Sequence, residues 1–254
     1  MGDFFVSKND VELVNNILAQ SADLWIKSEN SKGSGVIDAT TPSATTLTDT
    51  TQTWTDDELV GLTLIIDGKE YVITDNDATS VTFDSTSEPI NNGTYSYRIM
   101  NIPEYMGYSE DVKLSVSDDT LPFYDGIPAK KIIEVLLKRN VEGSGVLRVL
   151  SKGIWKAIFD GKEVDTGTET IIKVGSNPGS KPNYELMFKT RNYGNKQVVI
   201  RMYQVQLSVD GEINFSGDNY KVIPVKFNVN ADSLRDDPTS DLQEGNYLEI
   251  RIEK

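Results

Sequence analysis

The chain has 254 residues, a formal net charge of −14 and neither cysteine nor histidine. These absences exclude disulfides, thiolate nucleophiles, histidine bases and Cys/His zinc sites, and the acidic balance argues against a protein that grips nucleic-acid phosphates. No apolar run approaches the ~18 residues of a membrane span, so we expect no membrane insertion.

The first predicted elements are a helix and a strand. Residues 10–20 place apolar side chains at helical spacing behind Asp10, which suits an N-cap, and this pattern predicts a short amphipathic helix. The stretch "DLWIK", residues 23–27, then begins a strand that we expect to run into a loop.

A threonine-rich acidic segment follows, from residue 31 to residue 98. It holds eleven acidic and three basic residues, a net charge of −8. Asp67-Gly68 between two apolar runs predicts a hairpin turn, and residues 75–80 predict a second turn. Trp54 and Leu59 are the expected core anchors. We predict an inserted small all-β domain of about five strands, a barrel or a sandwich.

Beyond the insert, one strand and one helix are predicted. Val112, Leu114 and Val116 alternate with polar residues, which predicts a strand with one buried face. Residues 124–145, "YDGIPAKKIIEVLLKRNVEGSG", give the clearest helix pattern, because Pro128 suits a first turn and an apolar stripe follows. This stripe consists of Ile132, Ile133, Leu136 and Leu137, and the glycines at 143 and 145 would end the helix.

The remaining chain predicts strands. Their candidates include "GVLRVL", "IWKAIFDGKEV", "TIIKV", "NYELMFKT" and "NYLEIRIEK", at a spacing typical of sandwiches and barrels. The predicted fold class is therefore mainly β (α+β). It consists of an antiparallel β-sandwich or barrel with one packed amphipathic helix, formed by residues 1–30 and 99–254, plus the insert at 31–98.

Few residues carry chemistry. The pairs Asp118-Asp119 and Asp236-Asp237 could bind a cation, but we interpret them as solvated turn residues. Residues 75–80 lack the glycine and glutamate of a calcium loop, and the Gly-Ser-Gly stretches at 33–35 and 143–145 lack a P-loop lysine, which favours turns. We expect no catalytic residue, no metal and no cofactor, with a carboxylate-only hydrolase as the enzyme alternative.

Two further clusters leave alternatives open. The aromatic residues Tyr105, Tyr108, Phe123 and Tyr124 could form a stacking platform, although packing within the chain or against a neighbouring subunit is favoured. A basic cluster lies on the polar face of the predicted helix and either meets an acidic patch on another subunit or is simply solvated. This cluster consists of Lys130, Lys131, Lys138 and Arg139.

The chain from Asn101 onward resembles the tail tube proteins of tailed bacteriophages. Four stretches carry the resemblance: "EYMGYSEDVKLSVSDD", "YDGIPAKKIIEVLLKRN", "YELMFKTRNYGNKQVVIRMYQVQLS" and "NYKVIPVKFNVNADS". The opening "VELVNNILAQSADLWI" is similar to the N-terminal strand region of that family. The match covers residues 5–30 and 99–235, so the insert departs from the simplest family pattern.

The resemblance implies a structural subunit. Such proteins assemble as homo-hexameric rings that stack into a tube, which the tape measure protein fills before viral DNA passes through without specific binding. It implies a place in the virion tail after assembly in the host cytoplasm, with the helix packed outside the tube. The insert would project outward, where its charge keeps tubes soluble and apart.

We expect self-assembly through a strand, a hairpin and the two termini. Deletion of the hairpin tip 193–196 is expected to leave a folded monomer that no longer stacks. Alternatives are a distal tail or tail-terminator ring protein, which does not stack, and a carbohydrate- or surface-binding β module. The expected interface residues are Val112, Leu114, Val116, Lys130, Lys131, Arg191, Asn192, Tyr193, Asn195 and Lys196.

Overall fold

The computed structural model describes residues 22–39, 45–84, 90–125, 130–148, 151–175, 181–190, 197–213, 222–235 and 247–252. The predicted helix at 10–20 lies outside these residues. The elements, in chain order, are β1 Ala22–Ala39, β2 Thr46–Thr48, β3 Thr63–Ile66, β4 Lys69–Asn76, β5 Ser80–Phe83, β6 Gly93–Met100, β7 Glu104–Asp125, β8 Lys130–Leu147, α1 Lys152–Phe159, β9 Lys162–Asp165, β10 Thr170–Lys173, β11 Tyr184–Thr190, β12 Val198–Val209, β13 Ile223–Val229, a 3₁₀ helix Ser233–Arg235 and β14 Leu248–Ile252.

Six antiparallel strands close into a barrel, which we call the core barrel. The start of β1 pairs with β11 on one side and β7 on the other, and the circuit is completed through β12, β13 and β8. Alternate side chains point inward, as the period of a strand requires. They include Leu24, Leu186, Phe188 and Phe227, each at most 4% exposed. The mainly β, antiparallel fold class predicted from the sequence is confirmed.

A single amphipathic helix within the described part of the chain packs into the core barrel, but not where the sequence predicted it. Helix α1 begins after Ser151, whose hydroxyl accepts the Ile154 N–H at 3.3 Å. Its buried residues Ile154 and Ile158 line the same small cavity as Phe188 and Phe227, so α1 plugs the barrel interior. The strand predicted over "IWKAIF" is therefore wrong, because Ile154 and Ile158 are four apart and share a helix face.

The helix predicted over residues 124–145 is also wrong for residues 130–145, which the structure describes as a strand. Residues 130–147 form β8, which pairs with β7 along its whole length and with β13 from Val141 to Leu147. The apolar residues of this segment fit either period, and tertiary pairing overrides helix propensity. Gly143 and Gly145 therefore lie within a strand and not in a turn.

A second closed barrel, the insert barrel, shares β1 with the core barrel. The end of β1 pairs with β6 and β2, and β5, β4 and β3 complete the circuit. Trp54 and Leu59 are 4% and 1% exposed, which confirms them as core anchors. Asp67 and Gly68 have φ of 49° and 75°, which confirms the predicted hairpin turn.

The chain enters the insert barrel within a strand. β1 runs through both barrels, with a register shift between Glu29 and Ser34, where a loop was expected. Two separate hydrophobic clusters result, one per barrel. The three residues Asn101, Ile102 and Pro103 return the chain to β7 in the core barrel.

Candidate assembly surface

The β7–β8 hairpin extends beyond the core barrel as a two-stranded ribbon, residues 115–125 and 130–140. β7 pairs with β1 only up to Ser109, and β8 pairs with β13 only from Val141. Between these limits and the hairpin end, the two strands pair only with each other. The ribbon therefore has no third strand and no core beneath it in the described structure.

Apolar side chains are exposed along this ribbon. Val116 is 54% exposed, Leu121 44%, Phe123 48% and Tyr124 61%. Strand alternation places Leu121 and Phe123 on one face, and their register partners on β8 are Val135 and Ile133. Positions 121 and 123 and the positions paired with them on β8 are therefore all apolar residue types.

Charged residues flank the apolar face. Arg139 binds Asp118 in a bidentate pair, with Nε donating to Oδ1 at 2.7 Å and Nη2 to Oδ2 at 2.8 Å. The hydrogen bond from Arg139 lowers the pKa of the Asp118 carboxyl below its usual value. The β8 strand of the ribbon carries four basic residues and one acidic residue, Glu134, against a chain that is strongly acidic overall.

The structure distributes the expected interface residues over different surroundings. Val112 is 4% exposed and belongs to the core barrel, so it is not available for a contact between copies. Leu114 is partly buried against the same core, and only Val116 of the three is exposed. The predicted single buried face thus ends where the ribbon leaves the barrel. Lys131 is exposed near the start of β8, and Lys130 is its first residue.

The predicted hairpin between β11 and β12 is present. The two strands pair antiparallel from Tyr184 to Lys189. Its tip, with the expected contacts Arg191, Asn192, Tyr193, Asn195 and Lys196, lies outside the described residues. The free edges in the described core include those of the ribbon and the outer edge of β14, since the strands of the barrel itself form a closed circuit.

The aromatic segment does not form one platform. Tyr105 belongs to the core barrel, where its ring lies 4.9 Å from that of Trp25 and its hydroxyl donates to Asp23 at 3.1 Å. Phe123 and Tyr124 lie on the ribbon. Sequence reasoning noted these two aromatic residues but not Leu121, because its neighbours on β8 were assigned to a helix.

A polar groove of about 660 Å³ lies between α1 and β1. Its lysines face its own carboxylates, with Lys152 Nζ 2.9 Å and Lys156 Nζ 3.7 Å from Glu163. The hydrogen bond from Lys152 lowers the pKa of Glu163. A carboxyl held ionised in this way is the opposite of a general acid, which needs a raised pKa.

The described residues show neither a metal cluster nor a membrane helix. No group of three possible acidic ligands converges among them, and none of their helices combines the length and apolarity needed to cross a bilayer. The predicted turn at residues 75–80 is confirmed, since Asp77 accepts the Thr79 and Ser80 N–H groups at 2.8 and 2.7 Å. The pair Asp236-Asp237 lies outside the described residues.

The sequence was compared with known families and curated proteins. No protein-family model matches it, and no curated protein is significantly similar to it.

Proposed function

We propose that this chain is a structural subunit of a phage-type tail tube, which assembles into stacked, hexameric rings around a channel for DNA. The observation that carries the proposal is the β7–β8 ribbon. Its exposed apolar face requires a partner, and the resemblance of the flanking stretches to tail tube proteins names that partner as another copy of the chain.

A two-stranded ribbon with exposed apolar side chains is poorly stabilised on its own. An isolated hairpin is at best marginally stable in water, and unpaired strand edges are templates for pairing with another chain. A neighbouring subunit would cover Leu121 and Phe123 and would supply the third strand and the packing layer that the ribbon lacks. The basic β8 edge suits this contact, because the rest of the chain offers an acidic surface.

The insert barrel is proposed to lie outside the tube. Its segment carries −8 of the total charge of −14, and like charges on the outside of neighbouring tubes keep them apart. The tape measure protein would occupy the lumen before DNA, which then passes without a specific binding site.

The test is electron microscopy of the purified protein before and after concentration, with a matched pair of variants. Leu121→Ser/Phe123→Ser replaces the two apolar side chains that β7 contributes to this face and touches neither core, so its melting temperature should equal that of the parent. The parent should form tubes or stacked rings, and this variant should not. Val72→Ser, at an equally exposed position of the insert barrel, is the control and should assemble normally.

Three results would contradict parts of this proposal. Tubes formed by the ribbon variant would remove the ribbon from the interface. Single rings of the parent that never stack would favour a distal tail or tail-terminator ring. A parent that stays monomeric at all concentrations would count against the tube.

A further inference from the structure

Charged residues from three parts of the chain converge at the junction of the two barrels. Two come from the insert barrel, two from the core barrel, and two from the segment 232–235 that follows β13. They are Glu70 on β4, Arg98 on β6, Glu185 on β11, Arg201 on β12, Asp232 and Arg235. Most are largely buried, with Asp232, Glu185 and Arg235 only 2%, 5% and 6% exposed.

Arg235 joins the two barrels directly. Its Nη2 donates to Glu185 Oε2 of the core barrel at 2.9 Å and also to Glu70 of the insert barrel. Its guanidinium lies over the ring of Tyr203, 4.2 Å from the centroid. Arg201 repeats the bridge, because Nε donates to Glu185 Oε1 at 2.6 Å and Nη2 donates to Glu70.

The same segment holds the insert barrel at two further points. Asp232 accepts from Arg98 Nη1 at 2.9 Å and from Nη2 at 3.3 Å. The carbonyl of Leu234 accepts the N–H of Gly68, in the β3–β4 turn, at 2.8 Å. Segment 232–235 therefore contacts both the turn and the last strand of the insert barrel.

We infer that residues 232–235 form a clamp that fixes the orientation of the insert barrel on the core barrel. Each barrel has its own closed sheet and its own hydrophobic core. The covalent connections are β1, with its irregularity between Glu29 and Ser34, and the short stretch 101–103. These two connections alone would permit the insert barrel to rock on the core barrel. The bidentate Arg98–Asp232 pair and the carboxylates shared by Arg201 and Arg235 can form in only one relative orientation of the two barrels.

Buried ion pairs suit this role better than a purely stabilising one. Removing charges from water costs nearly as much as their attraction returns, so such pairs contribute little net stability. A rotated insert would leave Glu185 or Asp232 buried without its partner, which is strongly unfavourable. The clamp thus penalises wrong orientations, and this inference does not depend on the proposed tube.

The test measures the distance between the barrels in the full chain. The chain contains no cysteine, so Ser96→Cys on the insert barrel and Lys189→Cys on the core barrel, both exposed positions, can each carry one spin label. Pulsed electron–electron double resonance should give one narrow distribution of distances between the two spin labels in the labelled parent. Arg235→Ala should lose this single narrow peak, and Arg139→Ala, which removes an exposed arginine from the ribbon, should keep it.

The outcomes are decisive in both directions. A distribution in Arg235→Ala as narrow as that of the parent, or a parent that is already broad, would overturn the inference. If Arg235→Ala does not fold, Arg98→Ala replaces it, since it removes the insert side of the Asp232 contact. A narrow distribution in a folded Arg98→Ala would equally overturn the clamp, and a broad one would support it.

Discussion

The two barrels share β1, yet they fill their interiors by different means. The core barrel is apolar and is plugged by α1, with Phe188 and Phe227 in its centre. The insert barrel carries a buried carboxylate, Asp49, which accepts the Tyr97 hydroxyl at 2.8 Å and the Thr51 N–H at 2.9 Å. The core barrel should therefore be sensitive to volume, and the insert barrel to the loss of a hydrogen-bond partner.

The largest expected loss of stability comes from a change in the packing of the core barrel, at Gly143. A Cβ at Gly143 would lie 2.2 Å from the ring of Phe227 and 2.5 Å from the Lys113 carbonyl oxygen. Phe227 is only 1% exposed, and the Lys113 oxygen is a backbone atom of the paired strand β7, so it cannot move aside by itself. Gly143→Ala should lower the free energy of unfolding by about 3 kcal/mol in urea titrations.

Gly175→Ala is the control for this prediction, since a Cβ there meets nothing within 4 Å. If the two variants unfolded at the same urea concentration, close approach would not be the reason for glycine at position 143.

The second prediction tests the polar interior of the insert barrel. Asp49→Ala leaves the buried Tyr97 hydroxyl without its acceptor and should cost about 2 kcal/mol. Thermal unfolding followed by Trp54 fluorescence, with Trp25 and Trp155 replaced by Phe, isolates this barrel. Asp38→Ala removes an exposed carboxylate that accepts from Thr94 at 2.7 Å and should have little effect. Equal losses from both variants would argue against a special role of the buried carboxylate.

The insert barrel was more predictable from the sequence than the core barrel, and the reason is locality. Its turns carry explicit signals such as Asp67-Gly68, and Trp54 stands out as an anchor. In the core barrel, β1 closes on β11 and β8 pairs with β13 over long sequence separations. Residues 132–137 fit both a helical and a strand pattern, and their pairing with residues 120–123 of β7, which the residue pattern alone does not reveal, makes them a strand.

The clamp could not be predicted from the sequence either, because its residues are far apart along the chain. Glu70 and Arg235 are 165 positions apart, and each alone looks like an ordinary surface charge. The exposure of the ribbon was only partly foreseen from the sequence, and its role as a contact surface stays a prediction. Lys131, an expected interface residue, is exposed. Val116 was predicted to lie on a buried face but is 54% exposed, and the helix assignment hid the strand face that carries Leu121 and Phe123.

The third prediction concerns pH at the junction. Burial alone would raise the pKa of Glu70, but Arg235, Arg201 and the nearby Lys27 outweigh it and lower the pKa to about 2. A depressed carboxyl pKa stabilises the fold above the ordinary value of 4.5, and this contribution is lost as pH falls towards 2. The destabilisation caused by Glu70→Gln should therefore shrink between pH 5 and about 2.

Urea unfolding of the parent and Glu70→Gln at several pH values measures this difference. Glu142→Gln, at an exposed position facing Lys226 at 3.5 Å, is the control. A destabilisation by Glu70→Gln that stays constant with pH would contradict the assigned ionisation.

The smallest expected effect concerns the Arg139–Asp118 ion pair of the ribbon, compared with the Arg98–Asp232 pair of the junction. Arg139 holds Asp118 in a bidentate pair much as Arg98 holds Asp232, but its side chain is 43% exposed, against 15% for Arg98. Exposed ion pairs contribute little because water and salt screen them. Arg139→Ala should therefore leave the urea midpoint of the monomer unchanged within error at both low and high salt. A clear loss would mean that this exposed ion pair stabilises the ribbon in the isolated monomer, contrary to the small contribution expected of it.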